Sequence, residues 1–243
     1  MTLPVSVVAL AGALVITAAS VGVQRVVGFG FGVLSVPLLS LIDPDLAPVP
    51  QLLMTLPMTL AMTWGERGDL DLGGFGWVIA GRIPGALLGL LLLRIATDRT
   101  LDVLIGGAVL CAVALLASGL KVRRTPATQV TAGVASGTSG LVASIGGPPL
   151  ALLYSEERSA TARSTLAAIF SFGLTITIVA RALAGEITRD DIVLSVVLFP
   201  ALVVGYAVGA RFTSLVEGGR LRTAMLALSA LAALALLTRA IAG

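Results

Sequence analysis

Runs of about 20 apolar residues follow one another along almost the whole chain, and they restrict the possible folds more than any other feature. A run of that length crosses the hydrocarbon core of a bilayer as an α-helix, and a soluble domain does not need several in succession. Nine runs occur, at residues 3–23, 26–42, 46–64, 75–95, 103–120, 130–154, 162–183, 192–210 and 221–241. The sequence therefore predicts an all-α polytopic membrane protein, a single transmembrane domain over 1–243 with about seven to nine membrane segments.

Composition agrees with this prediction. Of the 243 residues, 57% are hydrophobic and 12% are charged, whereas soluble domains carry about 25% charged residues. The net charge of +3 comes from basic residues scattered through short loops, so we expect membrane lipid and no nucleic acid as a partner. No basic residue precedes Arg25, so the first run is expected to be a membrane segment and not a cleaved signal peptide.

Histidine is absent from the sequence. Its absence excludes histidine-activated nucleophiles, histidine proton relays and histidine metal sites. We therefore expect no catalytic residues, no metal and no cofactor, and we do not expect an enzyme.

The two halves of the chain resemble one another. Residues 28–38 and 140–150 match at an offset of 112, which pairs Gly28 with Gly140 and Pro37 with Pro149. Two further matches at an offset of 116 pair Pro84 with Pro200 and Gly89 with Gly205. This pattern predicts repeat 1 at 1–120, a basic linker at 121–126 and repeat 2 at 127–243.

The relation between the repeats depends on the two Gly/Pro-interrupted segments. If each is re-entrant, three crossings remain in each half, and an odd number inverts the second repeat. The inverted arrangement places on one side Arg67, Lys121, Arg123, Arg124, Arg158, Arg163, Arg211, Arg220 and Arg222, and on the other Arg94, Arg99, Arg181, Arg189 and Arg239. The positive-inside rule makes the richer side cytoplasmic, which predicts a multi-pass protein of the cytoplasmic (inner) membrane. If the two segments span fully, the charges nearly balance.

Glycine and proline mark the two interruptions. The first contains Gly28, Gly30, Gly32 and Pro37, and the second contains Gly140, Gly146, Gly147, Pro148 and Pro149. Proline suits the first position of a helix, so each proline is expected to open a new half-helix with free amides at residues 38–40 and 150–152. Such amides attract anions. Because broken backbone needs protein or a wet cavity around it, we expect the two breaks to face one shared site for a small anionic substrate. The alternative is that these glycines serve close helix packing.

Several polar side chains near the breaks are candidates for the walls of that site. Gln24 and Arg25 precede the first break, and Arg25 either binds substrate or caps a surface loop. Arg82 either neutralises substrate or extends to the lipid headgroups. Gln51 and Arg163 occupy equivalent repeat positions, although Arg163 also fits a charge at a loop end.

Hydroxyl groups accompany the second break. Ser136 and Ser139 lie just before it and suit hydrogen bonding to an oxyanion. Serines in membrane helices commonly bond their own backbone instead.

These motifs resemble those of the TauE/SafE family of sulfite exporters, which are bacterial permeases with two homologous halves. Gly28-Phe-Gly-Phe-Gly32 leads to Val36-Pro37-Leu38, and Gly133-Val-Ala-Ser136-Gly137-Thr-Ser-Gly140 leads to Gly146-Gly147-Pro148-Pro149-Leu150. The sequence lacks the uninterrupted Gly-Gly-Gly often found in the first motif. The resemblance implies a secondary transporter that exports a small sulfur-containing anion, sulfite or an organosulfonate such as sulfoacetate.

Two other functions are open to the sequence. Residues 27–30 resemble a glycine-rich ion-channel filter, although such filters need fourfold symmetry around a pore. Residues 137–140 match the Gly-x-Ser-Gly of intramembrane rhomboid proteases, whose serine needs a histidine that this chain lacks. The exact substrate, the direction of transport, the coupling ion and the oligomeric state, including a homodimer, are not determined by the sequence.

Overall fold

The computed structural model describes residues 5–212 and 219–242, and all regular structure within these ranges is helical. Residues 3 and 4, where the first predicted run begins, and the side chains of Arg220 and Arg222 lie outside this description. The α-helices in chain order are α1 Val7–Val27, α2 Phe31–Ile42, α3 Val49–Gly65, α4 Phe75–Ile95, α5 Asp98–Ala117, α6 Pro126–Ala143, α7 Gly147–Leu153, α8 Ser159–Leu183, α9 Arg189–Phe212 and α10 Gly219–Ala242.

Seven helical segments in the described ranges are long and apolar enough to cross a bilayer. They are Val7–Val27, Pro44–Gly65, Phe75–Ile95, Arg99–Ala117, Ser159–Leu183, Arg189–Phe212 and Thr223–Ala242. The predicted all-α polytopic architecture is confirmed. The helices α2, α6 and α7 fall outside this group, because α2 and α7 are short and α6 is rich in small and polar residues.

The helix pair α1–α2 and the helix pair α6–α7 each return to the end of the bundle where they begin. Near the start of α1, a Cβ on Gly12 would lie 3.4 Å from Ile42 at the end of α2. Just before α6, Arg124 donates to Glu157, just after α7, at 2.6 Å. Three long helices, α3 to α5, separate the two pairs, and each crosses the bundle once. Because three is an odd number of crossings, the two pairs enter the bundle from opposite ends.

Ion pairs tie the loops together at one end, which we call the basic end and define as the α3–α4, α5–α6 and α7–α8 loops. Arg124 bridges Asp71 and Glu157 there, with both distances 2.6 Å. At the opposite end, Arg239 of α10 holds Asp102 of α5 at 2.7 Å and donates to the Ser40 carbonyl of α2.

Close contact between α4 and α6 joins the two halves of the chain. A Cβ on Gly85 would overlap the carbonyl oxygen of Val134, and a Cβ on Gly137 would lie 2.6 Å from the carbonyl oxygen of Arg82. Glycine is needed on this seam because any side chain would force the two backbones apart.

The helices α1 and α9 form a second seam of the same kind. A Cβ on Gly205 would overlap the Ala18 carbonyl oxygen, and a Cβ on Gly209 would lie 2.8 Å from the Gly22 carbonyl oxygen. Each seam pairs a helix from one half with a helix from the other, so the halves interlock.

The predicted role of Pro37 is wrong. Pro37 lies buried inside α2, and the first break occurs earlier, between Val27 and Phe31. Gly28 and Gly30 have φ values of 91° and 117°, which favour glycine and end α1 before the proline is reached. Consequently no half-helix begins at residues 38–40.

We expect Gly85→Ala to lower the free energy of unfolding by about 1–3 kcal/mol, because the new methyl overlaps the backbone of α6. Thermal unfolding of the purified protein in detergent measures the effect. Gly76→Ala on the same helix is the control, because no atom of another helix lies within 4 Å of its Cβ position. Equal melting temperatures for the two variants would contradict the proposed seam.

Candidate functional site

The two helix breaks lie against one another. The first comprises Gly28, Phe29 and Gly30, and the second comprises Ser144, Ile145 and Gly146. A Cβ on Gly32 would overlap the carbonyl oxygen of Ser144, and a Cβ on Gly147 would lie 3.2 Å from the Phe29 Cβ. The close approach of the breaks therefore depends on glycine just after each of them.

The ends of the broken helices correspond at an offset of 116 and not 112. Val27 ends α1 and Ala143 ends α6, while Phe31 begins α2 and Gly147 begins α7. The sequence match at 112 had paired Gly28 with Gly140, which lies one turn before the end of α6. The reason is that Ser144 takes the left-handed conformation in the second break, with φ 55°, so glycine identity alone does not locate it.

A small cavity of about 40 Å³ lies between the breaks. It is lined by Phe29, Gly30, Gly32, Val33, Thr55, Arg82, Gly140, Ser144, Ile145, Gly146, Gly147, Phe170 and Leu174. The volume suits a few water molecules or one small ion, and it is far below the roughly 300–1,000 Å³ of sites for larger organic ligands.

Arg82 is the charged side chain of this cavity. It is 2% exposed, and its Nη1 donates to Ser136 Oγ at 2.7 Å. Ser136 in turn donates to the Gly146 carbonyl at 2.6 Å, which links the arginine to the second break. The Arg82 Nε has no hydrogen-bond partner among the described residues. The alternative in which Arg82 extends to the headgroups is therefore wrong, because α6 and α8 enclose the side chain.

Gly173 of α8 makes room for the guanidinium. A Cβ at Gly173 would overlap the Arg82 Nε, and a Cβ at Gly140 would lie 3.6 Å from the Arg82 Nη2. Gly173 was not predicted from the sequence, because a single glycine in an apolar run has no distinguishing pattern.

The N-termini of α2 and α7 offer fewer free backbone N–H groups to the cavity than the sequence predicted. The first amide of α2, on Phe31, already donates to the Gln24 side chain at 2.9 Å, and Gln24 is buried. At α7, Pro148 and Pro149 have no N–H, so Gly147 is the one residue in the first three positions that can donate. The strongest positive group in the cavity is therefore the Arg82 guanidinium.

Other predicted site residues lie away from the cavity. Arg25 and Arg163 both pair with Glu66, at 3.3 Å for Arg163, near the basic end. Gln51 donates to the Leu46 carbonyl at 3.2 Å at the other end of α3.

Ser139 stands next to the second break but outside the residues that line the cavity. It bonds the carbonyls of Ala135 and Ile145, both at 2.8 Å. This contact matches the alternative in which membrane serines satisfy backbone groups, and Ser139 thereby holds the break in place.

The lining of the cavity includes side chains that sequence reasoning missed. Phe29 and Phe170 both lie near Gly147, where a Cβ would lie 3.2 Å from the Phe29 Cβ and 3.6 Å from the Phe170 ring. Thr55 lines the cavity from α3. Aromatic and threonine residues are common in membrane helices, so no sequence pattern distinguishes these three.

A wider vestibule of about 690 Å³ opens toward the basic end. Lys121, Glu156 and Glu157 line it, and Phe29 lines both the vestibule and the small cavity. Phe29 therefore lies between the two spaces.

Ion pairing controls the charges near the vestibule. The hydrogen bond from Arg124 holds the pKa of the Asp71 carboxyl below its usual value of 3.8, and the Gly73 amide adds to this effect. The hydrogen bond between Lys121 and Glu156 raises the pKa of the lysine and lowers that of the glutamate.

A profile of the family described as sulfite exporter TauE/SafE matches residues 8–236 of the chain. The chain belongs to the TauE/SafE family.

A TauE/SafE protein is a membrane transporter and not an enzyme, which confirms the prediction against catalysis. Together with the seven long apolar helices, membership makes this chain a multi-pass membrane protein whose substrate is a small anion. Neither a curated protein nor a solved structure matches the chain.

In this TauE/SafE protein, we expect Ser136→Ala to lower the free energy of unfolding by about 1.5–3 kcal/mol, because it removes a buried hydrogen bond to a charged group. Gly173→Ala is expected to displace the guanidinium, so Ser136→Ala should cost much less in that background. A double-mutant cycle on unfolding in detergent measures the coupling. Additive effects would contradict the contact between Gly173, Arg82 and Ser136.

The Asp71–Arg124 pair should make stability depend on pH. Because the folded pKa of Asp71 is lowered, its stabilisation is present above the ordinary value of 3.8 and is lost as the pH falls through the lowered pKa. Thermal melting from about pH 7 down to about pH 3 should fall less steeply for Asp71→Asn than for the native protein. Asp190→Asn, at an exposed site outside the ion pairs between described residues, should keep the native slope.

Proposed function

We propose that this TauE/SafE protein exports a small sulfur oxyanion, sulfite or an organosulfonate such as sulfoacetate, across the bacterial cytoplasmic membrane. In this proposal the anion binds Arg82 in the cavity between the two breaks. The observation that carries the proposal is the burial of Arg82, at 2% exposure, in a cavity lined by residues of both halves.

An arginine in the membrane interior is costly unless it is paired or hydrated. The ion pairs between described residues do not include Arg82, although Arg25, Arg124, Arg158, Arg163 and Arg239 all take part in them. A bound oxyanion would supply the missing charge, and the planar guanidinium can donate two parallel hydrogen bonds to its oxygens.

The order of the helices supports two inverted repeats. The pairs α1–α2 and α6–α7 enter from opposite ends, and each is followed by three long helices. The seam of α4 with α6 has its counterpart in the seam of α9 with α1. Repeats of this kind allow a transporter to open alternately to the two sides around a fixed central site.

The orientation follows from the charges of the loops. The basic end carries Lys121, Arg123, Arg124 and Arg158, and the positive-inside rule assigns such an end to the cytoplasm. The vestibule opens at this end, so the described conformation corresponds to a carrier that receives its substrate from the cytoplasm. Phe29 separates the vestibule from Arg82 and supports a carrier over an open channel.

Purified protein in proteoliposomes provides the direct test. Uptake of radiolabelled sulfite, sulfoacetate, taurine and sulfate is measured with and without a pH gradient. Saturable uptake of a sulfur oxyanion supports a carrier, whereas non-saturating flux of many small ions would favour a channel.

We expect Arg82→Gln to reduce transport at least about ten-fold, because the anion loses its charged partner. Arg94→Gln is the matched control, since Arg94 is an exposed arginine on the same helix. Gly147→Leu should also abolish uptake while leaving the protein inserted, because a side chain at Gly147 enters the contact with Phe29. Unchanged uptake in Arg82→Gln would exclude this cavity as the binding site.

A further inference from the structure

The cavity between the breaks is lined by few charged groups. Arg82 is the one charged side chain among the described residues that line it, and the others are glycines, two hydroxyl residues and apolar side chains. The Arg82 guanidinium bonds the neutral Ser136 and leaves its Nε without a partner in the described part of the chain. The cavity therefore carries a single positive charge that no described residue compensates.

Neighbouring buried arginines have their partners outside the cavity. Arg181 of α8 donates to the Leu141 carbonyl at 2.9 Å, at the C-terminal end of α6, and interacts electrostatically with Glu186 and Asp191. Arg25 and Arg163 share Glu66 near the basic end. These groups do not line the cavity, so they do not change its charge inventory.

Helix starts add little positive potential for a second negative charge. The Phe31 amide of α2 is bonded to Gln24, and the two prolines of α7 remove two donors from its first turn. The backbone therefore offers a weak supplement to Arg82, and not the equivalent of a second cation.

We propose that the cavity selects monovalent oxyanions over divalent ones, a refinement that rests on the anion export proposed above. A monovalent anion neutralises Arg82 and leaves the cavity without net charge. A divalent anion of the same size leaves one negative charge buried without a partner, which a low-dielectric interior strongly disfavours. The substrate form of sulfite is then hydrogen sulfite, and a preferred sulfonate carries no second ionised group. Of the substrates proposed above, sulfoacetate with its additional carboxylate is therefore disfavoured, and hydrogen sulfite and singly charged sulfonates are preferred.

The charge of the substrate also sets the driving force. A monovalent anion that crosses alone moves one negative charge. A membrane potential of 100 mV, negative inside, can therefore maintain a concentration of this anion about 50-fold higher outside than inside. No carboxylate is present among the described residues of the cavity to carry a proton. Transport of a monovalent sulfonate that does not titrate is therefore expected to follow the membrane potential.

Methanesulfonate and sulfate form a matched pair of probes, because both are tetrahedral about sulfur and similar in size but differ by one charge. Their uptake is measured in proteoliposomes of the full chain, with the membrane potential set by a potassium gradient and valinomycin. Methanesulfonate should be carried at least about ten-fold faster than sulfate, because the cavity can compensate one charge and not two. Sulfate carried as fast as methanesulfonate, in a manner that depends on Arg82, would overturn the proposal.

Sulfite offers a second measurement, since it changes from hydrogen sulfite to the divalent ion near neutral pH. Its uptake should fall as the pH rises, in proportion to the monovalent fraction. Methanesulfonate does not titrate in this range and reports any effect of pH on the protein itself. Sulfite uptake that is constant or rising with pH, relative to methanesulfonate, would contradict selection of the monovalent form.

Variants at Arg82 separate this proposal from the proposed function. Arg82→Lys keeps the single charge, so it should weaken uptake and preserve the ratio of methanesulfonate to sulfate. If neither probe nor sulfite is transported, or if Arg82→Gln transports them normally, the proposed function fails. If all are transported at similar rates and all depend on Arg82, export is retained and the charge selectivity alone is wrong.

Discussion

The contact between the buried Arg82 guanidinium and Ser136 organises the centre of this protein. Ser136 passes the interaction to the Gly146 carbonyl, so one side chain of the first half is bound to the broken backbone of the second. The arrangement places a cation deep among apolar helices, where it must be enclosed, hydrogen-bonded and, on our proposal, neutralised by the transported anion. This contact lies beside the cavity and the second break, where α4 packs against α6.

Glycine residues make the close approach of these helices possible. Gly85 and Gly137 bring α4 and α6 close enough for Arg82 to reach across, and Gly173 leaves the guanidinium the volume that a side chain would occupy. Gly28 and Gly30 turn the chain between α1 and α2 through conformations that other residues rarely adopt. In a membrane, where helices gain little from burying apolar surface against one another, this close packing supplies much of the attraction between helices.

The partners available to charged side chains change from the loops at the basic end to the centre of the bundle. At the basic end, carboxylates pair with arginines and lysine in loops between the helices. More deeply buried, Arg25 and Arg163 share Glu66 of the α3–α4 loop, and Arg181 bonds the C-terminal carbonyls of α6. At the centre, Arg82 has a neutral partner. The decrease in available counter-charge toward the middle leaves the central arginine as the group that a small anion can satisfy.

The sequence alone determined the class of the protein. Apolar runs of the length of a bilayer require helices, and duplicated Gly/Pro interruptions mark the places where those helices break. The cavity is lined by six residues that the sequence predicted for the site: Gly30, Gly32, Arg82, Gly140, Gly146 and Gly147.

The tertiary structure decided the rest. It assigned the first break to Gly28 and Gly30 instead of Pro37 and placed Arg25, Gln51 and Arg163 away from the cavity. It also lined the cavity with Phe29, Thr55 and Phe170 and packed Gly173 against Arg82. The physical reason is that contacts between helices far apart in the chain, such as Gly173 with Arg82, depend on how the helices cross and rotate, and the local residue pattern does not encode that geometry.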